Sequence, residues 1–317
     1  MRVFITGGTG LIGRSLVGRL RERGDSAVVL SRRADQVRSD PRLAGAEVVA
    51  GDPTRPGAWC EALAGCDAVI HLAGQPVFGK RWTETVKKAI RDSRVESTNT
   101  VVGAIERAGP TGPRVLVSAS AIGYYGPHGD EELTESSPHG DDFLAQVGVE
   151  WEAAARRAEG PGRRVAIIRV GVVLDRDEGA IGVLTPIFKW VPGGAAPVGG
   201  GDGLLGTGRQ WMSWVHRDDI VGLFLMALDN PDASGPINGT APEPVRNVDF
   251  SRALAKALHR PLLPVGPPDF LLRLVLGDVA RVVTKGQKVM PARALDLGHA
   301  FRFPTLAEAL NDLFPAR

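Results

Sequence analysis

The stretch FITGGTGLIGRSL at 4–16 constrains this chain more than any other. An apolar run, a glycine cluster and an amphipathic run follow one another directly. Two patterns overlap in it, Gly7-x-x-Gly10-x-x-Gly13 and Gly8-x-Gly10-x-x-Gly13. Both demand a tight turn between a strand and a helix, where glycine takes positive φ without penalty. Both also keep Cβ atoms away, so that backbone can approach a pyrophosphate whose charge meets the N–H groups and dipole of the helix start. A G-x-G-x-x-G string alone is a weak signal, but here it opens a βαβ unit. The expectation is dinucleotide binding through Gly7, Gly8, Thr9, Gly10, Leu11, Ile12 and Gly13, rather than a merely structural turn.

The chain around it fits an α/β fold. Short apolar runs at 2–6, 27–31, 47–51, 67–73, 114–120 and 164–171 read as buried strands. Amphipathic stretches separate them, including 11–24, which Gly24 stops, and a long helix over 82–109. Such alternation predicts a Rossmann-like, doubly wound parallel sheet. Beyond about residue 171 the rhythm changes. A dinucleotide-binding domain over 1–170 and a smaller C-terminal substrate lobe over 171–317 are expected, with later segments free to return to the sheet. The glycine-rich run at 192–210 suits either a surface excursion or a lid over substrate, and 304–314 reads as a closing helix.

Charge and cysteine usage exclude several classes. With 38 Lys plus Arg against 36 Asp plus Glu, the net charge of +2 gives no signal for nucleic acid or a membrane surface. Cys60 and Cys66 make neither a disulfide framework nor a zinc spacing, so no metal is expected. MRVFITGGTG is strand and glycine turn without a secretory apolar region, and no apolar run is long enough to span a bilayer. The expected compartment is the cytoplasm.

The end of the second strand bears on which dinucleotide is bound. An NAD enzyme usually places Asp or Glu there for the ribose hydroxyls. Here the strand ends in Ser31, followed by Arg32 and Arg33. A small hydroxyl and two guanidinium groups suit the 2′-phosphate of NADP(H), so NADP(H) is expected ahead of NAD(H). Asp52, in GDPT at 51–54, either accepts from the adenine amino group or caps a local turn with Thr54.

Taken in order, the glycine turn, GDPT, HLAG at 71–74, SASAIGYYG at 118–126 and RVGVVL at 169–174 resemble the extended short-chain dehydrogenase/reductases, also called the NAD-dependent epimerase/dehydratase superfamily. KRWTETVKKAIRDSRVEST at 80–98, DFLAQVGVEWE at 142–152, GRQWMSWVHRDDI at 208–220 and the segment 268–310 resemble an atypical branch of epimerase-family, nucleoside-diphosphate-sugar-epimerase-like proteins with a C-terminal domain of unknown function. The resemblance implies cofactor contacts at Leu72, Ala73, Gly74, Ser118, Val170, Gly171 and Val172, a small-molecule substrate that can be nucleotide-linked, and a monomer or a homodimer built on helices 82–108 and 142–159.

It also implies a departure from the usual chemistry. Relatives begin the helix after the serine strand with Tyr-x-x-x-Lys, in which lysine lowers the tyrosine pKa. The same register here is Phe143-x-x-x-Val147. The chain has only two tyrosines, Tyr124 and Tyr125, followed four residues on by His128 and Gly129, so no Tyr-x-x-x-Lys exists in it. A tyrosine without the cation, with a pKa of about 10, is a poor base at neutral pH. The remaining candidates for the chemistry are Ser120, Tyr125 and Arg94. Ser120 matches the family serine at a strand end, and Arg94 takes the place of a helix asparagine, where it can hold an anion or a carbonyl oxygen, or face solvent. Glu150, one helical face with Phe143, is either an acid or a helix-pairing side chain; His216 opens a substrate-lobe helix; His71 makes a core hydrogen bond. Trp82, Trp211 and Trp214, with Arg81, Arg209 and Gln210, either line a pocket or belong to the core.

Overall fold

The computed structural model describes residues 1–77, 81–179, 181–182, 208–259 and 285–315, together with a short strand pair, Ala196–Pro197 and Leu262–Leu263. Most of the glycine-rich run 192–210 and the first part of the C-terminal segment 268–310 lie outside these residues.

Seven parallel strands make the centre. They are β1 (Arg2–Thr6), β2 (Ser26–Ser31), β3 (Glu47–Ala50), β4 (Ala68–His71), β5 (Val115–Ala121), β6 (Arg164–Val170) and β7 (Gly235–Gly239). Across the sheet they run β7, β6, β5, β4, β1, β2, β3. This is the doubly wound Rossmann order with one strand added, and it bears out the fold class expected from the alternation. The strand order reverses between β1 and β4, and ligands bind at such a switch point beyond the strands' C-terminal ends.

Both faces of the sheet are covered, which is why its strands are runs of apolar residues. Val3, Ile5, Val29, Ile70, Val117 and Ile168 point to one side. Leu16, Val17 and Leu20 of α1 (Leu11–Glu22) and Ile220, Leu223 and Phe224 of α5 (Arg217–Asp229) pack there. Phe4, Val28, Val69, Leu116 and Ile167 point to the other side. They meet Trp59 and Leu63 of α2 (Trp59–Ala64) and Val101, Val102 and Ile105 of α3 (Glu84–Ala108). The period of two along each strand and of about 3.6 along each helix thus meet in two cores. Thr83 caps α3, its side chain accepting from Val86 N–H. Asp142 caps α4 (Phe143–Arg156) in the same way through Ala145 N–H.

One expectation changes here. His216 does open a helix, as its N-cap, but α5 packs on the central sheet with α1 rather than in a substrate lobe. Its long apolar face, Ile220 to Leu228, is the reason. A third core joins α6 (Asn247–Ala257), α7 (Leu306–Leu313), Trp214 and Leu174. Thr305 and Glu308 form a reciprocal capping box at the start of α7.

The glycine turn is packed to contact. Gly7 has φ +68, and a Cβ placed on it would lie 2.8 Å from the Leu72 carbonyl carbon and oxygen. A Cβ on Gly13 would lie 2.4 Å from Gly7 O. Gly18, inside the same helix, has nothing within 4 Å of such an atom. Gly13→Ala is therefore expected to lower stability by about 1–3 kcal/mol, through displacement of the turn, whereas Gly18→Ala raises it by about 0.5–1 kcal/mol. Urea unfolding of the two variants checks the pair.

Candidate functional site

The start of α1 is open for an anion. Gly10 is its N-cap, no side chain caps it, and its first turn carries no acidic residue. A Cβ on Gly10 would find only Gly7 O, at 3.3 Å. The leading N–H groups of a helix lack intrahelical partners, and here they keep a partial positive charge without a local competitor. Arg14 holds the turn from behind, bonding the Thr9 carbonyl and pairing with Glu178. Leu11 lies beside Gly179, where an added Cβ would come 3.4 Å from its Cδ2.

The neighbouring strand end is tied to the turn by Thr6. Its hydroxyl accepts from Leu72 N–H and Ala73 N–H, both at 3.2 Å, and lies 2.6 Å from His71 Nδ1. His71 is fully buried, with Thr98 Oγ1 3.0 Å and Ser97 Oγ 3.3 Å from Nε2. Burial lowers its pKa to about 4, so the ring is neutral and serves as a core link. Ser118, beside His71 on β5, is buried and donates to Ala119 O at 3.2 Å.

Farther along the sheet, Ser31 is half-buried and accepts from Arg33 N–H at 3.1 Å, while Arg32 and Arg33 are exposed. Asp52 accepts from Thr54 N–H at 3.0 Å and Thr54 Oγ at 2.8 Å, both on Oδ1, as a turn cap does. Burial opposes its charge, but these bonds and the nearby Arg32 and Arg55 hold its carboxyl below the ordinary value. On the other flank, Gly171 N–H donates to Gly239 O at 2.9 Å and Val172 N–H to Ser213 O at 2.9 Å. A Cβ on Gly171 would come 2.7 Å from Ser213 O, so the chain after Val170 runs tightly past this strand.

Ser120 and Tyr125 belong to a buried polar network. Ser120, Arg169 and Asn238 stand in register on β5, β6 and β7. Glu152 of α4 accepts from Ser120 Oγ at 2.8 Å and from Arg169 at 2.7 and 2.9 Å in a bidentate pair. Tyr125 accepts from Arg169 Nη1 at 2.8 Å and donates to Asn238 Oδ1 at 2.7 Å. Arg169 also lies 3.6 Å from the centre of the Tyr124 ring. Tyr125 is fully buried, and burial pushes its pKa up to about 12. Its hydroxyl is a structural donor, and Ser120, itself 2 % exposed, is bonded to the buried Glu152 carboxylate.

Arg94 differs from both. Its Nη1 donates to Gln75 O and Ile90 O, each at 3.0 Å. The guanidinium lies 5.2 Å from the Trp151 ring centre and against Gly74, whose Cβ position would be 3.3 Å from Cζ. Among the described residues no carboxylate pairs with it. Burial lowers its pKa to about 10, which leaves it charged at neutral pH.

The other sequence candidates separate. Glu150 is half-buried and pairs with Arg91 at 2.5 Å, joining α4 to α3. Phe143 packs edge-on against Trp82 at 5.4 Å, and Trp82 donates to Val77 O. Trp214 is core, donating to Glu243 O, whereas Trp211 bonds Asp130 and stacks under Arg246 at 3.9 Å. These three tryptophans have separate partners. Among the described residues, no group of three or more His, Cys, Asp or Glu is placed to hold a metal ion, and no helix is long and apolar enough to cross a membrane.

A reversed strand order with an uncapped, glycine-framed helix start at the reversal defines the Rossmann-like, dinucleotide-fold class. The chain belongs to the NAD dependent epimerase/dehydratase family, whose model matches residues 3–239. A domain of unknown function, DUF1731, matches 267–313. The chain is 43% identical over 316 residues to the "Epimerase family protein SDR39U1 homolog, chloroplastic" of Arabidopsis thaliana, covering 98% of this chain and 86% of that one. It is 34% identical to epimerase family protein YfhF of Bacillus subtilis, over 100% and 99% of the two chains. The crystal structure of human epimerase family protein SDR39U1 (isoform 2) with NADPH superposes with a TM-score of 0.84 at 32% identity, covering 100% of both chains. The resemblance read from the sequence motifs is thereby borne out.

Glu152, Arg169, Asn238 and the Arg14–Glu178 pair were not among the sequence candidates. Arg169 left a signal: it is a charge inside the apolar strand RVAIIRV. Arg169→Met strands the Glu152 carboxylate and is expected to cost about 3–5 kcal/mol, with Arg169→Met/Glu152→Met recovering much of it; denaturant midpoints of the singles and the double decide this. His71 has its own signature. It takes a proton in the unfolded chain near its ordinary 6.5, but in the fold only near 4. Its contribution is complete above pH 6.5 and lost as pH falls to 4, about 3 kcal/mol in all. Unfolding free energies of His71→Gln should depend less on pH across that window than those of the parent.

Proposed function

We propose that this chain is an NADP(H)-binding protein of oxidoreductase or epimerase type, acting on a small carbonyl or hydroxyl compound, including nucleotide-linked ones, without a Tyr–Lys pair. The observation that carries the reading is the open start of α1 at the sheet's switch point, closed in by Gly7, Gly13 and the Leu72–Ala73 backbone. The residues fit the group: Gly7, Gly8, Thr9, Gly10, Leu11, Ile12 and Gly13 would take the pyrophosphate. Ser31, Arg32 and Arg33 would take the 2′-phosphate, and Asp52 would border the adenine. The chain after β4, Leu72 to Gly74, Ser118, and Val170 to Val172 would flank the nicotinamide end. The exposed arginines, the absence of an acid at position 31 and the NADPH on the human relative all support NADP(H) over NAD(H).

When bound, NADP(H) supplies or accepts a hydride. This chain's residues would orient the substrate oxygen and stabilise charge on it. With Ser120 bonded to Glu152 and Tyr125 locked between Arg169 and Asn238, Arg94 is the donor of the three that keeps N–H groups without a partner among the described residues. A guanidinium can hold an anionic or carbonyl oxygen of the substrate but gives no proton near pH 7, so the proton would come from solvent. Cys60 and Cys66 are unbridged, in keeping with a cytoplasmic setting, and the α3–α4 pair offers the helices a dimer would use. The engagement of Ser120 and Tyr125 also favours a second reading, a non-catalytic NADP(H) sensor.

Melting curves with NADPH and NADH test the first part. A hundredfold excess over Kd adds about 2.7 kcal/mol. NADPH is expected to give the larger rise, and Arg32→Ala to remove the difference; no rise with either nucleotide refutes cofactor binding. NADPH oxidation against a carbonyl panel separates enzyme from sensor: turnover is expected, and its absence across the panel with NADPH bound selects the sensor.

A further inference from the structure

The surroundings of Arg94 carry information about the substrate. A partly buried guanidinium without a carboxylate partner is costly, because its lost hydration is not replaced by an opposite charge. Here Nη1 is used by two carbonyls, while Nε and Nη2 have no hydrogen-bond partner among the described residues. Trp151, the ring beneath the guanidinium, is 5 % exposed, and its indole N–H is also without a partner among them. A buried indole N–H without a partner and the unbonded, solvent-accessible edge of the guanidinium therefore share one contact, and no acceptor among the described residues accompanies them. Ser93, next in the helix, is already spent on Gln75 N–H at 3.0 Å, fixing the chain that Arg94 bonds.

The position is as informative as the chemistry. A Cβ on Gly7 would meet Leu72 and Ala73, and one on Gly74 would meet the guanidinium, so Arg94 lies just beyond the glycine turn along the same strand end. A side chain on Gly74 would fall 3.4 Å from Nη2, where glycine leaves the space open. The free edge of the guanidinium, Nε with Nη2, is the fork that matches two oxygens of a carboxylate.

We infer that Arg94, backed by Trp151, is the binding point for a carboxylate on the substrate, next to its carbonyl or hydroxyl carbon, so that the protein acts on 2-oxo or 2-hydroxy acids. This rests on the dinucleotide reading above and adds the substrate class to it. Arg94 is thus assigned to substrate recognition, and the Trp151 indole to holding its plane.

Oxamate, a carboxylate beside an unreactive carbonyl, is the probe, with neutral oxamide as its control. Calorimetry on the full chain loaded with NADPH is expected to show oxamate binding and oxamide binding at least about tenfold weaker. Arg94→Gln is expected to weaken oxamate by about tenfold or more, the loss of a charge-assisted contact, with NADPH affinity retained. Arg94→Lys keeps the charge without the fork and is expected to fall between, which serves if the glutamine variant does not fold. NADPH binding without oxamate binding overturns the carboxylate assignment and leaves the cofactor reading standing. Unchanged oxamate binding by Arg94→Gln overturns the role of Arg94. A loss of NADPH affinity in that variant instead assigns the guanidinium to the cofactor's phosphates, which also overturns it.

Discussion

The Arg169–Glu152 pair is the interaction on which the packing of α4 against β5, β6 and β7 depends. Arg169 sits on a strand covered on both faces, where a lone charge would be untenable. Its bidentate carboxylate comes from α4, its neighbours in register are Ser120 and Asn238, and the rings of Tyr124 and Tyr125 cover it. One ion pair thereby connects three strands, one helix and the turn after β5. Burial would lower the arginine's pKa, but the Glu152 bonds more than offset this and hold it raised. The serine and tyrosine that sequence reading places in the chemistry are the hydrogen-bonding shell of this pair.

This separates two halves of the candidate site by their physics. Around Arg169 the polar atoms satisfy one another, and such closed networks rigidify. Around α1 and Arg94 the donors outnumber the acceptors: helix N–H groups, a guanidinium edge and an indole. A region rich in free donors invites acceptor-rich, anionic ligands, and the two donor clusters lie on either side of the Leu72–Gly74 backbone.

The legible and illegible parts of the sequence divide along the same line. The strands were legible because burial on both faces leaves runs such as AVVLS, and the turn because no other residue than glycine fits at Gly7 and Gly13. The network was not, because it needs the register that sets Ser120, Arg169 and Asn238 side by side, across segments far apart in the chain. Helical phase explains Glu150 against Glu152. At about 100° per residue, position 150 shares the half-buried face of Phe143, while 152 points about 180° away, toward the buried Ala145, Gly148 and Ala155 side. His216 fixed the start of α5 correctly, but its apolar length, which sends it onto the sheet, is a property of the whole helix rather than of its first residue.

The short stretch near 288 has a consequence for how such a chain can change over time. Lys288–Val289 pairs with Glu132–Leu133, Val289 N–H donates to Ser213, and Met290 O accepts from Asn238, the same asparagine that receives Tyr125. The two matched sequence families, 3–239 and 267–313, thus meet inside one hydrogen-bonded interior. Separating the pieces would leave buried donors such as the Asn238 amide unanswered, at about 1–3 kcal/mol each. Residues on the two sides of this seam share hydrogen-bond partners and are coupled in energy, so the boundary between the families is a line in sequence and not a gap in the packing.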